Sequence, residues 1–127
     1  MIDALFSSAN YVAAKKLLDA TALRHEAIAS NLANVETPHY KRVDVAPTFN
    51  AELRQAIASR DATSIAGVQP QIAPDSTALA ARHDGNTVQL ESELMKLNQN
   101  YLEHSLETQL VTGNLLRLRL AITGRSV

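Results

Sequence analysis

The C-terminal third of this 127-residue chain carries two apolar seams on what reads as one helix, and this limits the folds open to it. The first seam is Leu90, Leu94, Leu97, Tyr101, His104, Thr108, Val111, Leu115, Leu118 and Ile122, a sustained heptad pattern. The second is Met95, Leu102, Leu106, Leu110, Gly113, Leu116 and Leu120, mostly off the first stripe. A single partner helix buries only one side, so the other seam faces water. Exposed apolar area of that extent marks a protein–protein surface. Asn86 followed by Gln89 predicts a capping box at the start, and Glu91 and Glu93 suit the positive end of the helix dipole. Gly124 is placed to end the helix after Thr123, with Arg117, Arg119 and Arg125 at the end that favours cations.

A second long helix is predicted from Ile2 to about Asn34, a stretch free of Pro and Gly. Ile2, Leu5, Phe6, Ala9, Ala13, Leu17, Ala20, Leu23 and Ala27 recur at spacings of three and four and fall in one stripe. Asn31 and Asn34 continue that stripe, where amides can bond the orphan carbonyls of the helix end and the departing chain. Pro38 pushes Thr37 out of helical geometry, so a corner is enforced, and Tyr40 is placed to pack back on the helix. The corner motif is therefore Asn31, Asn34, Thr37, Pro38 and Tyr40. Each terminal helix spans about 50 Å at 1.5 Å per residue.

Between them the pattern breaks. "FNAELRQAIAS" (49–59) predicts a short helix burying Leu53, Ala56 and Ile57, and residues 60–85 read as loop or weakly ordered insert. The expected fold is mainly α: long N- and C-terminal helices paired as an antiparallel coiled coil around an irregular middle. The boundaries are 1–36 for the N-terminal assembly helix, 37–85 for the turn, short helix and variable segment, and 86–127 for the C-terminal assembly helix. The expected assembly interface is Leu94, Leu97, Tyr101, Leu102, Leu106, Leu110, Leu115, Leu116, Leu118 and Ile122.

The chemistry points away from catalysis. His25-Glu26 lacks the second His, at Ala29, that a zinc helix needs. Glu103, His104 and Glu107 read as a solvated helix face, so no metal, no cofactor and no small-molecule substrate is expected. Tyr40-Lys41-Arg42 offers too few charges to hold a phosphate backbone, and the formal net charge is −1, so no nucleic-acid partner is expected. There is no cysteine and no apolar run of the roughly 18 residues that a membrane span needs. "MIDALFSSANYVAAKK" does not read as a cleavable secretory signal. From the residues alone two readings stand: a structural subunit that assembles through its helices, or a closed helical bundle acting as an adaptor or chaperone-like module.

"SNLANVETPHYKR" resembles the N-terminal signature of bacterial flagellar axial proteins, the rod and hook group, in which Asn-(Ile/Leu)-Ala-Asn is followed by Thr-Pro-Gly-Tyr. His39 stands where that family usually has Gly. The stretch "DGNTVQLESELMKLNQNYLEHSLETQLVTGNLLRLRLAITG" is similar to the C-terminal helix of the proximal rod members. The resemblance implies a structural subunit of the proximal rod of the flagellar basal body, polymerising into the drive shaft that transmits motor torque across the periplasm. It also implies the partners: further copies, other proximal rod proteins, the adaptor joining the rod to the membrane ring, and the flagellar type III export apparatus.

Overall fold

A computed structural model describes residues 8–79 and 82–124. Helix α1 (Ala9–Ala33) starts where the Ser8 hydroxyl accepts the Tyr11 N–H at 3.3 Å, an N-cap. Of the stripe expected on this helix, Ile2, Leu5 and Phe6 lie outside the described residues. Strand β1 (Val43–Val45) follows the corner, then α2 (Thr48–Ser59), α3 (Ala62–Gly67) and β2 (Ile72–Pro74). The last element is α4 (Leu90–Thr123), ended by Gly124 in left-handed geometry with its N–H on the Leu120 carbonyl.

The middle of the chain is more ordered than its composition suggests. Strands β1 and β2 pair antiparallel with Val43 opposite Pro74 and Val45 opposite Ile72. Asp61 starts α3 by accepting the Thr63 and Ser64 N–H groups, a cap hidden in a run of small polar residues. Ile65 is then fully buried, beside Val45, Phe49, Leu53, Ala56 and Val68. In α2 the buried residues are Phe49, Leu53 and Ala56, whereas Ile57, expected inside, is 42% exposed.

This small unit takes the apolar stripe of α1. Ala13 and Ala20 join its core, with Ala9, Val12, Leu17 and Leu23 packed at the edge. Helix α4 also packs along α1, next to this core. Its hydrogen-bonded pairs there are Thr21 with His104 and Glu107, Arg24 with Glu103, and Asn31 with Glu93. Residue numbers fall along α4 as they rise along α1. The first apolar seam of α4 is covered only in part, with Leu118 buried and Leu97 half-buried. The sequence showed the stripe but not which segment would claim it.

The expected capping box at Asn86 and Gln89 is also absent. Helix α4 begins at Leu90 with no side-chain cap from Gln89, because Asn86 is used elsewhere.

Removing buried volume separates these assignments. Ile65→Ala is expected to cost about 2–5 kcal/mol, whereas Ile57→Ala stays within about 0.5 kcal/mol. Urea denaturation of both variants measures the difference.

Candidate functional site

At the corner, Asn31 works as a backbone clamp. Its Nδ2 donates to the Val43 carbonyl and its Oδ1 accepts the Val43 N–H, both at 2.9 Å, so one side chain replaces a β-partner for the start of β1. The same Nδ2 also reaches Glu93 Oε2 at 3.1 Å. Asn34 is the C-cap of α1: its Nδ2 donates to the Ser30 carbonyl at 2.9 Å and its Oδ1 accepts from the Thr37 hydroxyl. The Tyr40 hydroxyl lies 3.0 Å from Ser30 Oγ and donates weakly to Asn31 Oδ1 at 3.4 Å. Pro38, exposed, sits within this turn.

A second strip of chain closes the corner from outside. Asn86 Nδ2 faces the carbonyls of Asn34, Val35 and Thr37 at 2.8–3.1 Å, and its Oδ1 accepts the Val88 N–H. The His39 N–H donates to the Asp84 carbonyl, and the Thr87 N–H to that of Tyr40. His39 has φ 62, in the left-handed region that disfavours side chains, and its Nδ1 lies about 3.0 Å from where a Cβ on Gly85 would stand. The two stretches that carried the resemblance are thus halves of one joint.

Beneath the joint lies a charge cluster. Glu93, fully buried, accepts from Arg42 Nε, and Arg42 also donates to Asp75 at 2.6 Å and Asp44 at 2.8 Å. Arg24 pairs with Asp44 on the solvent side at 3.1 Å. Burial works against the Arg42 charge, yet the bonds from Asp44 and Glu93 leave its pKa raised. Burial likewise pushes the Asp44 carboxyl up, but Arg42 and the Val45 N–H outweigh it and the net shift is downward. Asp75 is lowered by the Thr77 hydroxyl first, with Arg42 adding to it.

Along the α1–α4 seam, Glu93, Asn100 and Glu107 recur at seven-residue spacing and all turn toward α1. Asn100 Nδ2 donates to the Thr21 carbonyl at 2.9 Å. The Thr21 hydroxyl donates to Glu107 at 2.8 Å and stands 3.2 Å from His104 Nδ1. Burial pushes the Glu107 carboxyl up, and the Thr21 bond offsets this only in part.

The leucines point the other way. Met95, Leu102, Leu106 and Leu116 are 67%, 69%, 60% and 52% exposed, and Leu94, Tyr101, Leu110, Leu115 and Ile122 are exposed as well. Leu97 is half-buried and Leu118 is buried within the chain. No group of metal-ligating residues occurs among the described residues, and no described helix is long and apolar enough to cross a membrane.

Arg42, Glu93 and Asn86 carry the joint, and sequence reasoning missed all three. Arg42 had read as half of a surface basic pair and Glu93 as a helix-dipole residue. The available signal was position: Glu93 lies seven residues before Asn100 and fourteen before Glu107, all polar on one line.

A helical chain with an outward apolar face this broad has the form of a subunit that assembles with other proteins. Comparison with known proteins agrees. The flagellar basal body rod protein FlgB of Borrelia hermsii is 34% identical over 115 residues, covering 76% of this chain and 83% of that protein. FlgB of Escherichia coli (strain K12) is 27% identical over 80% of this chain and 83% of its own length. FlgB of Aquifex aeolicus is 27% identical over 88% and 91%. No family model matches the chain. This chain belongs to the FlgB family of flagellar basal body rod proteins, and it is a structural protein, not an enzyme.

Two outcomes follow from the joint. Arg42→Met strands a buried Glu93 charge and is expected to cost about 3–5 kcal/mol at neutral pH. Because Asp44 and Asp75 are lowered, their stabilisation is present above the ordinary value of 3.8 and is lost as pH falls through the folded values below it. Urea titrations at pH 7 and below pH 3.8 are expected to show that acid loss in the natural chain and a smaller one in Arg42→Met. At the corner, His39→Gly is expected to be neutral or to gain up to about 1 kcal/mol, and His39→Val to lose about 1–2 kcal/mol. Thermal unfolding distinguishes them.

Proposed function

We propose that this chain is a subunit of the proximal rod, polymerising with itself and with other proximal rod proteins into the helical drive shaft that carries motor torque across the periplasm. The observation that supports this most directly is the outward face of α4, where Met95, Leu102, Leu106 and Leu116 are each more than half exposed in a single chain. In the rod, the terminal helices would pair as an antiparallel coiled coil, with neighbouring subunits packed on the leucines that α1 leaves uncovered. Torque then passes through close-packed side chains, which deform little under load. The same reading gives the remaining partners: the adaptor that joins rod to membrane ring, and the flagellar type III export apparatus that delivers the subunit.

The test is a charge placed on the outer face. Leu106→Lys and Leu116→Lys are expected to abolish rod assembly and swimming while the secreted amount of the subunit stays unchanged. Normal motility in both variants overturns the proposal, as does loss of the protein before export.

A further inference from the structure

Gly113 sits in the interior of α4, where glycine is less favourable than alanine because its backbone gives up more freedom. Packing within the chain does not call for it: beyond the helix's own turn, a Cβ built there meets no atom within 4 Å. Its surroundings on the helix are ordered. Leu106 and Leu110 lie seven and three residues before it, and Leu116 and Leu120 three and seven residues after it. At about 100° per residue, Leu106 and Leu120 fall about 20° to either side of Gly113, and Leu110 and Leu116 about 60°. The face is a palindrome of leucines with a gap at its centre, and all four are 46–60% exposed. Glu93, Asn100 and Glu107, which bond α1, lie about 120–160° round the helix, so α1 leaves the palindrome open.

Such a face is its own complement when a second helix runs the opposite way. About a two-fold axis at Gly113, Leu106 of one copy stands level with Leu120 of the other. Leu110 and Leu116 flank the crossing, and the two glycines let the backbones come close. The charges agree. Glu103 and Glu107 precede the centre, Arg117 and Arg119 follow it, and residues 108–116 carry no charge. Antiparallel apposition sets the acidic half of one helix on the basic half of the other, whereas parallel apposition in register sets like on like.

We infer that this face binds a second copy of itself, α4 against α4, antiparallel and crossing at Gly113. The pairing goes beyond the rod reading. Subunits of a polar rod share one direction, whereas a two-fold contact occupies the same face on both copies and closes. It therefore belongs to the folded subunit free of the rod, in which a second copy covers the leucines that rod neighbours would otherwise take.

The glycine supplies a test that unfolding cannot mimic. Gly113→Leu fills open space and raises helix propensity, so helicity by circular dichroism is expected to hold or rise. Sedimentation equilibrium of the purified natural chain is expected to show monomer and dimer, and Gly113→Leu to raise the dissociation constant at least about tenfold. The natural chain has no cysteine, so disulfide trapping reads the geometry directly. Copper–phenanthroline oxidation is expected to join Leu106→Cys to Leu120→Cys when the two variants are mixed. Neither variant is expected to join to itself, since like positions stand about 21 Å apart along the pair. A natural chain that stays monomeric or grows past the dimer, an unchanged dissociation constant in Gly113→Leu, or a cross-link within either single variant overturns the inference. So does a natural chain that pairs only with a different rod protein. Each of these leaves the rod reading intact, because swimming of the Leu106→Lys and Leu116→Lys variants tests that reading on its own.

Discussion

A fully buried carboxylate is tolerated only when it is matched, and Glu93 imposes that condition at the base of α4. Its match is Arg42, itself almost wholly buried, whose remaining N–H groups are taken by Asp44 and Asp75. One burial thus recruits residues from β1, from the strip after β2 and from the first turn of α4. Asn31 adds the end of α1 by bonding Glu93 and the Val43 backbone with one amide. The direction of the chain as it leaves α1, and the point where α4 starts back, are set by the same small group of atoms.

That junction decides which face of α4 looks outward. With Glu93 pinned, the residues seven and fourteen further on also face α1, and these are Asn100 and Glu107. The pair is joined by hydrogen bonds, each worth only about 0.5–1.5 kcal/mol net. The aliphatic surface of α4 is left uncovered, at about 25 cal/mol per Å² once it is removed from water. Under the assembly proposed above, polar bonds set the register of α4 on α1 and the exposed leucines supply the hydrophobic contacts between chains. A leucine seam facing α1 would have hidden part of that surface.

Much of this was legible in the sequence, and the failures have particular causes. The two long helices, the corner at Thr37-Pro38 and the end at Gly124 follow from local rules of periodicity, proline geometry and left-handed capping, which need no tertiary knowledge. The excess of apolar surface on α4 was equally readable, because no single partner can cover two seams. What local rules could not supply was assignment. The α1 stripe of Ala13, Leu17 and Ala20 is taken by Phe49, Leu53 and Ile65, and that choice depends on a cap at Asp61 and a strand pairing that sets Val45 opposite Ile72. Asn86 looked like a helix cap because the spacing to Gln89 was right. It serves a turn some fifty residues earlier, and only the fold brings the two together.

The polar seam carries costs in the single chain: an unpaired Asn100 oxygen and a Glu107 carboxyl whose pKa is raised by burial. A raised carboxyl pKa means that stability falls as pH rises above the ordinary value of 4.5, the opposite sense to Asp44 and Asp75. Such costs are compatible with a role in fixing register. Sliding α4 by one heptad would bring Asn100 to the place of Glu93, setting an amide against Arg42 and leaving the guanidinium with one carboxylate fewer. Sliding it the other way would carry Glu93 toward Asn100's station at the Thr21 carbonyl, an acceptor facing an acceptor. Leucines at those positions would tolerate either slip, because one aliphatic contact resembles the next. Under the assembly proposed above, in which the outer leucines meet those of neighbours at a fixed height, a seam that permits one register is worth more than a seam that binds tightly in several.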